Sequence, residues 1–392
     1  MSTLSGSSKP LGVSVVESSG IWYLFATSRD NNKLFRYTYG NGLQSAATSV
    51  DDLGTLGGLL AQPVSVKVFQ QNGVWYGLIH NWTSGKLVRV DFSGGVGGTV
   101  SGTLMLSGVG GGNSGMEVVK DGEQVVAIVT NTTSFKIIDF GNDITQVPDA
   151  SHQMTTTAVS GATLLRDISL YKDCDIWYGF AIDRTGKKLF RLNFGTTAYS
   201  NPSATLLGTN ILSSEEPGSI QVLEEGGGYN LLVNTLSGHL QNVVLGSDIT
   251  SSSYSVLNYG GSYGIGYDLI FVKDSGEWTG MIFNDGTKDL YRLDFPDVCS
   301  ASVKYIESST PGEISYDVSG TYKIELTAYS ATGNKSVVVE DVVVGAQQSP
   351  DITFSYADIC LSSPTTFTST NSSGDITTYS WDFDGDGIED ST

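Results

Sequence analysis

The stretch GIWYLFATSRDNNKLFRYTYG (residues 20–40) returns five more times in altered form. Its counterparts are GVWYGLIHNWTSGKLVRVDFSG (73–94), EQVVAIVTNTTSFKIIDFG (123–141), DIWYGFAIDRTGKKLFRLNFG (175–195), GGYNLLVNTLSGHLQNVVLG (227–246) and GEWTGMIFNDGTKDLYRLDFP (276–296). One anchor position reads Trp22, Trp75, Val126, Trp177, Tyr229 and Trp278, in steps of 49 to 53 residues. A period of about 50 residues belongs to propellers or solenoids.

Reading one unit as strands decides between them. A short alternating segment such as VSVKVFQ (64–70) precedes the anchor, and the anchor opens a second strand. A turn rich in Asn, Asp, Ser, Thr and Gly then leads to a third strand ending in RVDF, RLNF or RLDF. Looser stretches such as DDLGTLGG (51–58) supply a fourth. Four antiparallel strands per unit make a propeller blade. The chain therefore reads as all-β, a six-bladed β-propeller over residues 1–309, with the recurrent Trp, Tyr and Phe packing between blades. Residues 310–344 carry enough of the pattern to offer a seventh blade. Six is preferred because SASVKYIE (300–307) can supply the fourth strand of blade six.

Composition narrows the partners. With 41 acidic and 21 basic residues the formal charge is −20, which repels nucleic acid and anionic lipid surfaces and leaves cations and neutral glycans open. No apolar run reaches the length of a spanning helix, so no direct membrane insertion is expected. The three cysteines, Cys174, Cys299 and Cys360, form no CxxC pair; a Cys299–Cys360 bridge and unpaired thiols are both compatible with their spacing.

Beyond residue 309 the pattern changes. GTYKIELTAYSATGN (320–334) resembles the closing half of a PKD domain, an immunoglobulin-like β-sandwich, and TTYSWDFDGDG (377–387) resembles its opening half, with an Asp inserted before the glycine. The expected division is a PKD-like half-module at 310–346 and the start of a second PKD module at 347–392, truncated by the end of the chain. A Trp-Tyr propeller followed by such modules is similar to large surface and secreted proteins of Bacteroidota. That resemblance implies export, of the type IX, gliding or adhesin kind, and an extracellular or cell-surface location.

Two sets of residues carry candidate chemistry. Asp382, Asp384, Asp386 and Asp390 alternate as carboxylates do in a calcium loop, with Gly387 at the glycine position, so calcium is the one cofactor expected. The other reading of that loop is a solvated acidic turn. Asn81, Asn131, Asp183, Asn234 and Asn284 fall at equivalent turns, which a propeller gathers on one face, and Trp82 stands beside the first. Such a ring serves either as a ligand-binding face or as a set of side chains bridging their own turn backbones.

His80, His152 and His239 lack the spacing of a metal triad, no sialidase box occurs, and the one Gly-x-Ser-x-Gly match, GGSYG (260–264), falls in an all-β repeat without the strand-to-helix turn of a nucleophile elbow. The leading expectation is recognition or adhesion without catalysis, directed at a polysaccharide or a surface-protein partner. A carbohydrate-active propeller, hydrolase or lyase, is the first alternative, and a structural head of a surface assembly the second.

Overall fold

The computed structural model describes residues 2–3 and 9–295, apart from 41, 111–114, 213–214, 226–227, 262, 264–265 and 275–276; farther on it describes 320–329, 335–344, 352–357, 364–371, 378–383 and 390. The chain divides into two compact units, Met1–Lys304 and Tyr305–Thr392.

The first unit is a six-bladed propeller of six four-stranded antiparallel sheets. Five blades run in chain order over residues 10–54, 63–106, 116–155, 165–209 and 217–260. Their first strands, Pro10–Ser18, Pro63–Gln71, Met116–Asp121, Leu165–Asp173 and Pro217–Glu225, together with Leu269–Asp274 of blade six, form a closed inner ring in which each strand contacts the next. Two-residue turns join first and second strands: Ser19 and Gly20, like Asn72 and Gly73, both have positive φ, the pairing that suits a tight hairpin. Inner strands approach closely where side chains shrink. A Cβ at Gly12 would lie 2.7 Å from the Ser65 backbone of the next blade.

Blade six corrects the expected closure. Its three strands Leu269–Asp274, Glu277–Phe283 and Asp289–Phe295 take their fourth from the opposite end of the chain, Ser2–Thr3, with Ser2 opposite Leu290 and Thr3 opposite Asp289. Residues 300–307 lie outside the described residues. Pairing the N-terminal segment with Asp289–Phe295 closes the ring with backbone hydrogen bonds.

The core consists of six apolar clusters, each bridging two neighbouring blades. Trp177 and Phe194 join Val126 and Ile128 between blades three and four, and Tyr23 and Phe92 meet between blades one and two. Trp22, Trp75 and Trp278, half-buried, flank the seams between blades six and one, one and two, and five and six. The recurrent aromatics thus occupy the inter-blade positions expected of them.

Side chains complete what apolar packing begins. Inner strands of adjacent blades do not share a sheet, so Ser14 accepts from Val68 N at 3.0 Å and Ser169 from Val222 N at 3.1 Å. The recurrent arginine of the third strand does the same farther out. Arg36 donates to Val96 O and Gly98 O, Arg89 to Ile144 O, Arg191 to Ile249 O and Ser251 O, and Arg292 to Leu43 O and Gln44 O, always on the following blade.

In the second unit, two hairpins are described: Gly320–Tyr329 with Lys335–Val344, and Ile352–Tyr356 with Phe367–Asn371. On the latter, Phe354, Phe367, Trp381 and Phe383 gather with ring centroids 5.1 to 6.4 Å apart, yet Phe354 remains 61% exposed. Among the described residues the only helical turn is Ala150–His152, and no helix is long and apolar enough to cross a membrane.

Candidate functional site

The inner strands begin at the same face that carries the turns after the second strands. Loops entering each blade also lie there, and the polar turn residues are spent on those loops. Asn81 is buried, accepting from Ala61 N at 3.0 Å and donating to Leu59 O at 3.1 Å. Buried Asp183 accepts from Thr163 N, the Thr163 hydroxyl, Leu164 N and Gly186 N. Burial opposes its charge, but these donors outweigh that cost and hold its carboxyl below the usual range. Asn234 donates to Gly266 O, Asn284 accepts from Gly286 N and Thr287 N, and Asn131 from Thr132 N.

Trp82 stands apart from that set because it faces the channel mouth. There a cavity of about 50 Å³ is lined by Arg29, Trp82, Arg166, Arg184 and Tyr267, with Leu11 and Val64 as its apolar sides. Arg166 lies in the inner strand of blade four and Tyr267 just before that of blade six; Arg29 and Arg184 follow second strands. The Arg29 guanidinium sits 5.0 Å over Trp82, and that of Arg166 5.0 Å over Tyr267, stacking that holds each planar fork in place. Arg29 and Arg184 each bind a rim carboxylate through Nε, Asp30 and Glu216 respectively, at 2.8 Å.

Arg166 is the buried member, 4% exposed. One Nη donates to Tyr267 O at 3.1 Å, while its Nε has no hydrogen-bond partner among the described residues. No carboxylate lines this cavity.

Below the mouth the channel changes sign. Lys67 faces Glu117 at 3.8 Å, and Asp167 and Asp268 complete the group. Asp167 accepts from Ile220 N at 3.0 Å; Asp268 accepts from Val13 N at 3.0 Å and Leu269 N at 2.9 Å. A Cβ at Gly115 would strike the Asp167 carboxylate, so glycine there makes room for it. Burial, reinforced by Asp268, pushes the Asp167 carboxyl up to about 7. Burial likewise raises Asp268 and Glu117. On Lys67 burial acts against the charge, but Glu117, Asp268 and Asp167 outweigh it and keep the ammonium protonated. Three acids face Lys67 and Arg166, so one negative charge is in excess and a carboxyl takes up a proton.

No family model matches the chain, and no curated protein matches it. Solved structures do. A mutant of AofleA from Arthrobotrys oligospora aligns at TM-score 0.51 and 8% identity, covering 74% of this chain and 83% of that one. The luciferin-regenerating enzyme aligns at 0.49 and 9%, covering 73% and 91%, and a GH43_1 enzyme from Xanthomonas citri at 0.41 and 8%, covering 65% and 92%. The likeness is one of fold.

The remaining sequence candidates lie apart from the channel. His80 is buried and its imidazole is pushed down to about 4 by that burial. His152 pairs with Asp149 and His239 with Glu215. Cys174 is exposed in a hairpin turn, while Cys299 and Cys360 lie outside the described residues. So do Asp384 and Asp386 of the acidic loop; Asp390 accepts from Phe383 N at 2.7 Å, and no metal-holding group of three occurs among the described residues.

Sequence reasoning reached Arg29 only as an alternative to Ser28 for the first blade's counterpart of the polar turns, and passed over Arg166 and Arg184. Part of the signal lay in the repeat itself: Arg29, Trp82 and Arg184 each stand seven residues after the anchors Trp22, Trp75 and Trp177.

Proposed function

We propose that the propeller is a non-enzymatic recognition module that holds part of a saccharide at its channel mouth, within a large exported or surface protein of the Bacteroidota kind. The observation that carries this reading is the cavity itself, where two aromatic faces and three guanidinium groups converge and no carboxylate intrudes. Aromatic faces and planar donors are what a sugar ring and its polar substituents need. Glycoside hydrolysis needs two carboxyls flanking the scissile bond, and Asp167 and Asp268 lie deeper, bonded to inner-strand N–H groups. PKD-like modules after residue 309 act as spacers in this proposal, with calcium held by Asp382, Asp384, Asp386 and Asp390.

One observation favours a second reading, a carbohydrate-active enzyme. Asp167, pushed up to about 7, has the poise of a general acid. A thermal-shift screen of the full chain against polysaccharides, with and without calcium and with each well assayed for new reducing ends, separates the two. A saturable shift without product supports recognition. Product that disappears in Asp167→Asn overturns it in favour of catalysis.

A further inference from the structure

We infer that the channel mouth is an oxyanion site, and that its ligand is an acidic polysaccharide whose carboxylate enters between Arg29, Arg166 and Arg184. The inference rests on the saccharide-recognition reading and specifies the chemical class of the ligand. Three guanidinium groups around a cavity of about 50 Å³ repel one another, and the chain brings them there from blades one and four although its formal charge is −20. Their own countercharges stand outside the cavity, Asp30 and Glu216 on the rim and Asp167 and Asp268 below, so the space between the forks is open to an external oxyanion.

Size and donor geometry agree. A cavity of about 50 Å³ admits one carboxylate-sized group, well short of the ~300–1,000 Å³ of a pocket that engulfs a whole ligand. The ligand therefore inserts a tip and leaves its body on the face outside. Arg166 supplies the buried floor, with Nε lacking an acceptor and one Nη already committed to Tyr267 O. Its neighbour in sequence, Asp167, makes no hydrogen bond to that Nε; its Oδ2 accepts from Ile220 N. Arg29 and Arg184 keep their carboxylates, Asp30 and Glu216, on the rim, bound through Nε.

Trp82 and Tyr267 hold the forks of Arg29 and Arg166 flat, ready for paired N–H···O bonds. The overall negative charge does not prevent this. At physiological salt the Debye length is about 8 Å, so a group at the mouth responds to the charges within the mouth.

The test measures binding of the full chain by calorimetry to oligogalacturonate, to the same oligomer methyl-esterified, to dextran sulfate and to neutral dextran. Oligogalacturonate is expected to bind, esterification to weaken binding by about tenfold or more, and Arg29→Gln with Arg184→Gln to do the same while the melting curve is retained. Arg166→Lys, which keeps the charge but loses the fork, should also weaken it. Equal affinity for acid and ester, or wild-type binding by the double variant, overturns the oxyanion inference and leaves saccharide recognition standing. Dextran sulfate binding without oligogalacturonate binding overturns the carboxylate assignment. Absence of binding to any of the four by the folded chain overturns this inference. Saccharide recognition itself falls only if the wider polysaccharide screen is also silent.

Discussion

The seven arginines of the chain divide between two regions, the seams between blades and the channel mouth. Arg36, Arg89, Arg191 and Arg292 recur at one position of the third strand, and each donates to backbone carbonyls of the following blade. Arg29 and Arg184 share another repeat position, seven residues after the anchors Trp22 and Trp177, and meet Arg166 of an inner strand around one cavity. Same side chain, opposite use: at the third-strand position backbone oxygens consume the arginine's donors, and at the channel mouth an arginine faces open space. Blades three and five, with Ile137 and Asn242 at the seam position, show that the staple is dispensable in single blades.

The strongest way to break this comparison is at a seam. Arg36→Ala removes the bonds to Val96 O and Gly98 O from a largely buried guanidinium and should cost about 3 kcal/mol, read from urea denaturation, with ligand binding at the mouth unchanged. Asp183→Asn comes next. An amide cannot accept all the donors that Thr163, Leu164 and Gly186 present, so stability should fall by about 2 kcal/mol.

Below the mouth, the prediction concerns pH. Asp167 is raised to about 7 in the folded protein against about 3.9 unfolded, so the folded state holds the proton longer. Its contribution is full below pH ~4 and is lost as pH rises through 7, by at most about 1.4 kcal/mol per unit. His80, lowered to about 4, acts oppositely over about pH 4 to 6.5, its contribution being lost as pH falls. Thermal melts of Asp167→Asn should therefore show stability rising more steeply from pH 4 to 6.5 than in the wild type. The smallest effect on stability is expected at the rim. Arg184→Gln breaks a partly exposed pair with Glu216, worth less than about 1 kcal/mol, yet it should weaken ligand binding. A large loss of stability there would erase the distinction between seam and mouth.

Much of the propeller was legible because its cause is local. An apolar anchor every 49 to 53 residues and hairpin turns such as Asn72–Gly73 dictate blades wherever they fall in space. The ring of Asn81, Asp183, Asn234 and Asn284 was legible as a shared face, but composition says nothing of where a side chain points. These are spent on backbone groups of their own turns or of the loops entering their own or the next blade. The C-terminal unit makes the complementary point. Strands Ile352–Tyr356 and Phe367–Asn371 have the aromatic alternation of a sandwich, while in the described residues they form a two-stranded sheet with Phe354 and Tyr356 exposed.

By itself, the sequence determined the all-β class, the six units and the aromatic seams, since these follow from periodicities within one unit. Only the tertiary structure decided that Ser2–Thr3 closes the ring against Asp289 and Leu290, and that Arg29, Arg166 and Arg184 share a cavity with Trp82 and Tyr267. Those partners lie tens to hundreds of residues apart and come from blades one, two, four and six. Their meeting is a consequence of ring closure, a property of all six blades at once that no single blade encodes.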